Sequence, residues 1–284
     1  MYKFLLSFYF GLYLIFGLLA SGLTMAADEA AKPYSVYIVP QLTPVATHKA
    51  WAPVLEKLAA ATGLEFELNV EPSIPAFEQA IASGTPDFAY MNPYHIIVAK
   101  RDKGYIPLLR DSKNMLEGIL VVKKGGEIKS LEDLKGKTLS FPAPNAFAAS
   151  LFMRALLAQQ NITITTNYVK THSNVYRSVL LGDVAAGGGI NNTFQREPKD
   201  VSDQLQVLYV TPKTAPHPLA VNPRIPEAVR IKVLETFIQL ATDPANAALF
   251  DAIQMPIPVP ADYARDYHSL EALGLEKFAV IGGD

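Results

Sequence analysis

Three short stretches carry residues that could do chemistry, and all three supply hydrogen-bond donors. The stretch SFPAPNAFAAS joins a strand-like run, Thr138 to Phe141, to a helix-forming run through Pro142, Pro144 and Asn145. A helix that starts there leaves backbone N–H groups without intrahelical partners around Asn145, Ala146 and Phe147, which makes the turn a candidate ligand cradle. A plain strand-to-helix turn with Asn145 as N-cap is the bland reading, and the two are compatible because a cap leaves other N–H groups free. The second stretch is Tyr90-Met91-Asn92-Pro93-Tyr94-His95, where a strand run again stops at an Asn-Pro pair. Tyr90 and Asn92 can donate to a ligand oxygen. Equally, Tyr90 can be a core aromatic, Asn92 a turn former, and His95 a packing residue of the next helix. The third is Thr171-His172-Ser173-Asn174, where His172 can donate whether neutral or charged.

Weaker candidates surround these. Gln41 and Thr43 follow the strand-ending Pro40, and Tyr176 lies one helical turn beyond His172. Gly188, inside Gly187-Gly188-Gly189, lets either a ligand or another part of the backbone approach closely. His217 sits between Pro216 and Pro218, at a point where the chain looks to cross between two halves.

Much is excluded. Cysteine is absent, which removes disulfides, thiolate catalysis, Cys-ligated zinc and a cysteine-borne lipid anchor. The five histidines show no metal-ligand spacing, so neither a metal nor a cofactor is expected. No nucleophile elbow, phosphate loop or dinucleotide fingerprint occurs. An exported hydrolase using His172 with Ser173 is the enzyme alternative to a non-catalytic reading. The formal net charge of -2 gives no field of one sign for nucleic acid or an anionic membrane.

The elements that must position these residues alternate. After Tyr2-Lys3, the run Phe4 to Leu23 is uncharged and apolar, and small residues follow before Asp28-Glu29. Residues 1–27 read as a secretory signal peptide, with an uncleaved anchor as the alternative. From Pro33 strand runs (Tyr34 to Val39, Glu65 to Val70, Asp87 to Met91) alternate with helical runs (Thr47 to Thr62, Ile74 to Ser83, Tyr94 to Lys103). The alternation restarts with a strand at Gly118 to Val122, a capped helix at Ser130 to Gly136 and strands at Tyr168 to Thr171 and Val184 to Ile190. It ends in a long helix from Ile225 to Thr242. Such alternation implies βαβ units and mostly parallel sheets. Two α/β blocks suggest two lobes: residues 28–112 and 213–284 forming the first and 113–212 the second. Ligands of open α/β sheets bind beyond the carboxyl ends of strands, where the three stretches lie.

The ordered set of motifs resembles the phosphate/phosphite/phosphonate-type periplasmic solute-binding proteins of ABC transporters. It comprises Pro86 to Tyr94, Ser130 to Thr138, Phe141 to Pro144, Lys170 to Tyr176, Leu181 to Val184 and Val210 to Pro218. The resemblance implies a two-lobed type II binding fold, no catalysis, and an anion held by Tyr90, the loop at Asn145 to Phe147, and His172. Helix-start N–H groups and the helix dipole suit an anion. It further implies export to the periplasm, delivery to an inner-membrane ABC permease, and a monomer. A sensory subunit serving a membrane kinase or chemoreceptor is the alternative. The chain departs from the family at two points. Phosphonate binders carry a Ser-Thr-Ser-Gly-like loop where this chain has Pro144-Asn145-Ala146-Phe147, and an acid in the strand that here reads Ala185 to Asn192. Both departures open the site to a larger, less charged ligand.

Overall fold

A computed structural model describes residues 32–280, so the leader expected at 1–27 lies outside the described residues. Eleven strands form two sheets among the described residues. The first half contains β1 (Tyr34–Ile38), β2 (Phe66–Val70), β3 (Phe88–Tyr90) and β4 (Ile106–Asp111). The second contains β5 (Gly118–Lys123), β6 (Thr138–Phe141), β7 (Thr165–Tyr168), β8 (Ala186–Ile190) and β9 (Leu205–Val210). The chain then returns to the first sheet with β10 (Leu219–Val221) and β11 (Pro258–Pro260). The sheet orders are β11-β4-β10-β3-β1-β2 and β7-β6-β8-β5-β9.

The expected parallel core is present in each sheet: β1 lies between β2 and β3, and β6 between β7 and β8, all parallel. The strands that carry the chain between sheets pair antiparallel. Thus β10 lies between β3 and β4, and β5 between β8 and β9. Midway, Leu116 and Thr214 exchange backbone hydrogen bonds of 2.9 and 3.0 Å, so the two crossings form a paired ribbon.

Several boundaries move for local reasons. The first helix, Pro44–Thr62, starts three residues early because Pro44 suits its first turn and Thr43 Oγ1 accepts from Ala46 N at 3.3 Å. The helix expected over Ser130 to Gly136 shrinks to a 3₁₀ turn, Glu132–Leu134, with the Asp133 carboxylate accepting from the N–H groups of Lys129 and Ser130. The strand expected at Tyr168 to Thr171 ends at Tyr168, since Lys170 turns left-handed at φ 75° and Thr171 caps the helix His172–Leu181. β4 was not anticipated, because Pro107 inside the run hid it.

Helix Pro44–Thr62 turns Trp51, Val54, Leu55 and Leu58 onto the first sheet. The apolar cluster there continues without a break into Ala143, Ala146, Phe147 and Phe152 of the second half. The lobes therefore touch across the cleft. No described helix is long and apolar enough to cross a membrane.

Candidate ligand site

The first-lobe wall is built from side chains. Tyr90 ends β3, paired with Leu219 of β10, and its ring packs between Trp51, at 5.0 Å between centroids, and His217, at 5.5 Å and nearly stacked. Pro216 and Pro218 flank His217, and Pro218 O accepts from Met91 N, which keeps the imidazole over Tyr90. His217 Nε2 lies 2.7 Å from Gln41 Nε2, and Gln41 Oε1 accepts from Gln254 Nε2 at 2.9 Å. With Gln41 donating, Nε2 of His217 is the acceptor and its proton sits on Nδ1. Burial strips water from these groups. It pushes the Tyr90 phenol far above its ordinary range, helped by the Asp111 charge, and lowers His217 to about 3. Both are neutral at physiological pH. No hydrogen bond to the Tyr90 hydroxyl occurs among the described residues.

The second-lobe wall is built mostly from backbone. Pro142 and Pro144 stiffen the turn after β6, and Ala146 O accepts from both Ser150 N at 2.8 Å and Leu151 N at 3.1 Å. That double acceptance widens the start of the helix into a π turn, Phe147–Leu151, before the regular helix Phe152–Gln159. π turns of this kind frequently mark functional sites. The first N–H groups of the turn, from Phe147 on, lack intrahelical acceptors. Two glycines set the height of the turn. A methyl at Gly118 would collide with Ala148 O, and one at Gly188 with Ala149 O and the Phe141 ring. Only bare Cα atoms in β5 and β8 let the turn lie directly on the sheet.

His172 opens the helix His172–Leu181 and is buried; burial alone lowers it to about 4, and its Nδ1 has no partner among the described residues. The basicity of His217 is reduced further by His95 and His172. Asn92 joins the walls: its Oδ1 accepts from His95 N at 2.8 Å as the helix cap, and its Nδ2 donates to Asn145 O at 3.1 Å.

Other candidates are placed differently. Thr43 is exposed and its hydroxyl is the cap already described. The Tyr176 hydroxyl is 2.9 Å from Thr193 Oγ1 and fills the space over Gly189, under the sheet. Gly188 gives room to packing of the π turn. The Asn145 side chain faces Glu78 and Val280. Gln254 and Arg196 were not anticipated. Arg196 reaches from the second lobe to the carbonyls of Asp251 and Ala252, the latter at 3.0 Å. Nothing in their polar sequence neighbourhoods marks either, because only the fold brings residue 254 beside residue 41. No metal-binding group of His, Asp or Glu occurs among the described residues. The Ser173 hydroxyl donates to Glu197 Oε1 and makes no bond to His172, so no nucleophile–base pair is formed there.

Neutral donors in both lobes, with a helix start in one of them, are groups that can bind oxygen atoms without reacting with them. The family model for the periplasmic substrate-binding protein of phosphonate ABC transporters matches residues 36–267. The chain belongs to this family. Its members are substrate-binding proteins and not enzymes, and the two-sheet architecture is the type II periplasmic binding fold. Solved structures agree on the fold. A binding protein of an ABC phosphonate transporter from Pseudomonas aeruginosa superposes with TM-score 0.77 at 16% identity, covering 87% of each chain. PhnD1 from Prochlorococcus marinus, solved with methylphosphonate, gives 0.79 at 15% identity over 88% of this chain and 99% of its own. A Xanthomonas citri protein bound to ATP gives 0.71 at 15% identity over 87% and 99%. Among curated proteins, none matches the chain in sequence. Within the family this chain is the solute-binding component of an ABC transporter.

Proposed function

We propose that the protein works in the periplasm as a monomer and closes on a small oxygen-rich anion between residues 33–112 with 213–280 and residues 113–212. It then presents that ligand to an inner-membrane ABC permease. Tyr90 O–H and His172 donate from opposite walls, and the N–H groups of the turn from Phe147 complete the grip. Gln41 acts through His217, fixing its tautomer so that Nδ1 is a donor. Asn92 caps a helix and bridges the walls.

One observation supports this reading above the rest: the buried cluster that holds Tyr90 runs on into Phe147 of the uncapped π turn, and buried His172 keeps an Nδ1 without a partner among the described residues. The methylphosphonate complex of the similar PhnD1 supports a phosphonate-like ligand. The absence of loop hydroxyls at Pro144 to Phe147 favours a ligand with a larger apolar portion or less charge than phosphate. No covalent step follows from these groups.

A thermal-shift screen of phosphate, phosphite, alkyl- and arylphosphonates, sulfonates and small carboxylates tests it. A ligand at about 100 times its Kd adds about 2.7 kcal/mol of stability. A melting point that responds only to uncharged compounds overturns the anion reading.

A further inference from the structure

Asn145 stands at the ligand turn, yet its side chain is fully occupied elsewhere. Nδ2 donates to Glu78 Oε2 at 3.2 Å and to Val280 O at 2.9 Å, and Oδ1 accepts from Val280 N at 3.0 Å. An amide has two donors and one carbonyl acceptor, and all are engaged. Its backbone O takes the bond from Asn92 Nδ2. Next to it, Arg154 Nη2 donates to Pro144 O at 2.7 Å and to Phe278 O at 2.8 Å.

The partners lie on the other lobe. Glu78 belongs to the helix Ile74–Ser83 and is oriented by His95 Nε2 at 2.9 Å. Val280 and Phe278 belong to the C-terminal segment. That segment is anchored on the first lobe by buried Leu270 and Leu275, and by the Tyr267 hydroxyl donating to Pro216 O at 2.8 Å. The segment therefore spans from the first lobe to the outer side of the second-lobe ligand turn.

We infer that Asn145 is a positioning residue: with Glu78 and the C-terminal strap it latches the ligand turn against the first lobe before any ligand arrives. The inference rests on the reading of the cleft as the ligand site. It changes the role of Asn145 from ligand donor to closure, and it extends the binding machinery to Val280. A cavity of about 380 Å³ lies behind the latch, bordered by Glu78, Tyr94, His95, Val98, Asn145 and Val280. Water there can compete for the latch groups, so each bond is modest and the latch reversible. A pre-closed resting state lowers the cost of closing on a ligand, since a ligand needs only to shift an equilibrium already biased toward closure.

The protein has no cysteine, so two introduced ones report cleanly. Glu56→Cys in the first lobe and Asp183→Cys in the second, both exposed sites, carry spin labels for interlobe distance measurement without ligand. The expected parent distribution is mainly the short distance. Asn145→Ala and Val280→Pro, the latter removing only the strap donor, are each expected to lower the closed-to-open ratio about tenfold, the factor that 1.4 kcal/mol produces. Should Asn145→Ala fail to fold, Val280→Pro decides, because Val280 lies at the end of the described chain and outside the core clusters. A parent that is already open, or a folded variant with the parental ratio, overturns the latch. Methylphosphonate added to the same samples reads the functional proposal separately. If it fails to restore the short distance while the variants still open, the ligand reading fails and the latch stands.

Discussion

The two walls of the cleft reach the same end by different means. The first-lobe wall is a chain of side chains, Gln254 to Gln41 to His217, with Tyr90 stacked on the last. The second-lobe wall is backbone laid on backbone, made by Gly118 and Gly188 beneath the π turn. A side-chain wall can be tuned residue by residue, because each group is removable while the strand beneath stays in place. A backbone wall cannot, because its donors belong to the fold itself. The difference predicts where each wall breaks.

The largest effect is expected at Gly188. In Gly188→Ala the new methyl meets a carbonyl and a buried ring that cannot turn away. Overpacking of this kind costs about 1–3 kcal/mol, and more where backbone must move. Urea denaturation should show that loss, and calorimetry should show ligand binding lost with it. Unchanged binding at reduced stability would mean that the turn does not contact the ligand. Tyr90→Phe comes next. It keeps the stack and removes one donor, so stability should change by less than about 0.5 kcal/mol while affinity for an anion falls about tenfold or more. Equal affinity would move Tyr90 from the site to the core.

Acid should weaken the protein through its imidazoles. His172 and His217 have folded values of about 4 and about 3 against an ordinary value of 6.5. Below 6.5 the unfolded chain takes up protons that the folded chain refuses, so stability falls with pH. The loss runs from about pH 6.5 to 4 for His172 and on to 3 for His217. Each contributes about 1.4 kcal/mol per pH unit inside its window. His217→Asn should flatten the profile by about one proton. A melting temperature with the same pH slope in that variant would show that His217 takes up its proton in the fold as well. The smallest effect is expected at Thr43→Ala, which removes an exposed helix cap worth about 1 kcal/mol. Ligand affinity should be untouched, in contrast to Gln41→Ala, which leaves His217 without its partner.

How much of this was legible in the sequence depends on range. The turn at Pro142 to Asn145, the Asn-Pro stop at residue 92 and the helix after Thr171 are local signals, set by proline geometry and by side-chain oxygens two or three residues from their N–H partners. Asn92 and Thr171 cap helices as their neighbourhoods lead one to expect, whereas Asn145 does not, because the π turn starts after Ala146 without a side-chain cap and the Asn145 amide bonds Glu78 and Val280 instead. Other exceptions were local: the left-handed Lys170 shortened one strand, and Pro107 hid another. Gln254 and Arg196 were invisible because their partners are distant in sequence, Gln254 standing 213 positions from Gln41.

The sequence by itself determined the alternation of strands and helices, the absence of thiol chemistry, and three strand-end loops rich in donors. These follow from periodicity, composition and the restricted dihedrals of proline. Tertiary structure alone decided what each donor faces. Asn145 could cap, bind or latch from its sequence neighbourhood. It turns to Glu78 and Val280 because the C-terminal segment folds back onto the ligand turn. Gly188 could have received a ligand, and the π turn occupies that space instead. A hydrogen-bonding group has no preference among partners until the fold brings one within about 3 Å, and that distance is set by contacts far along the chain.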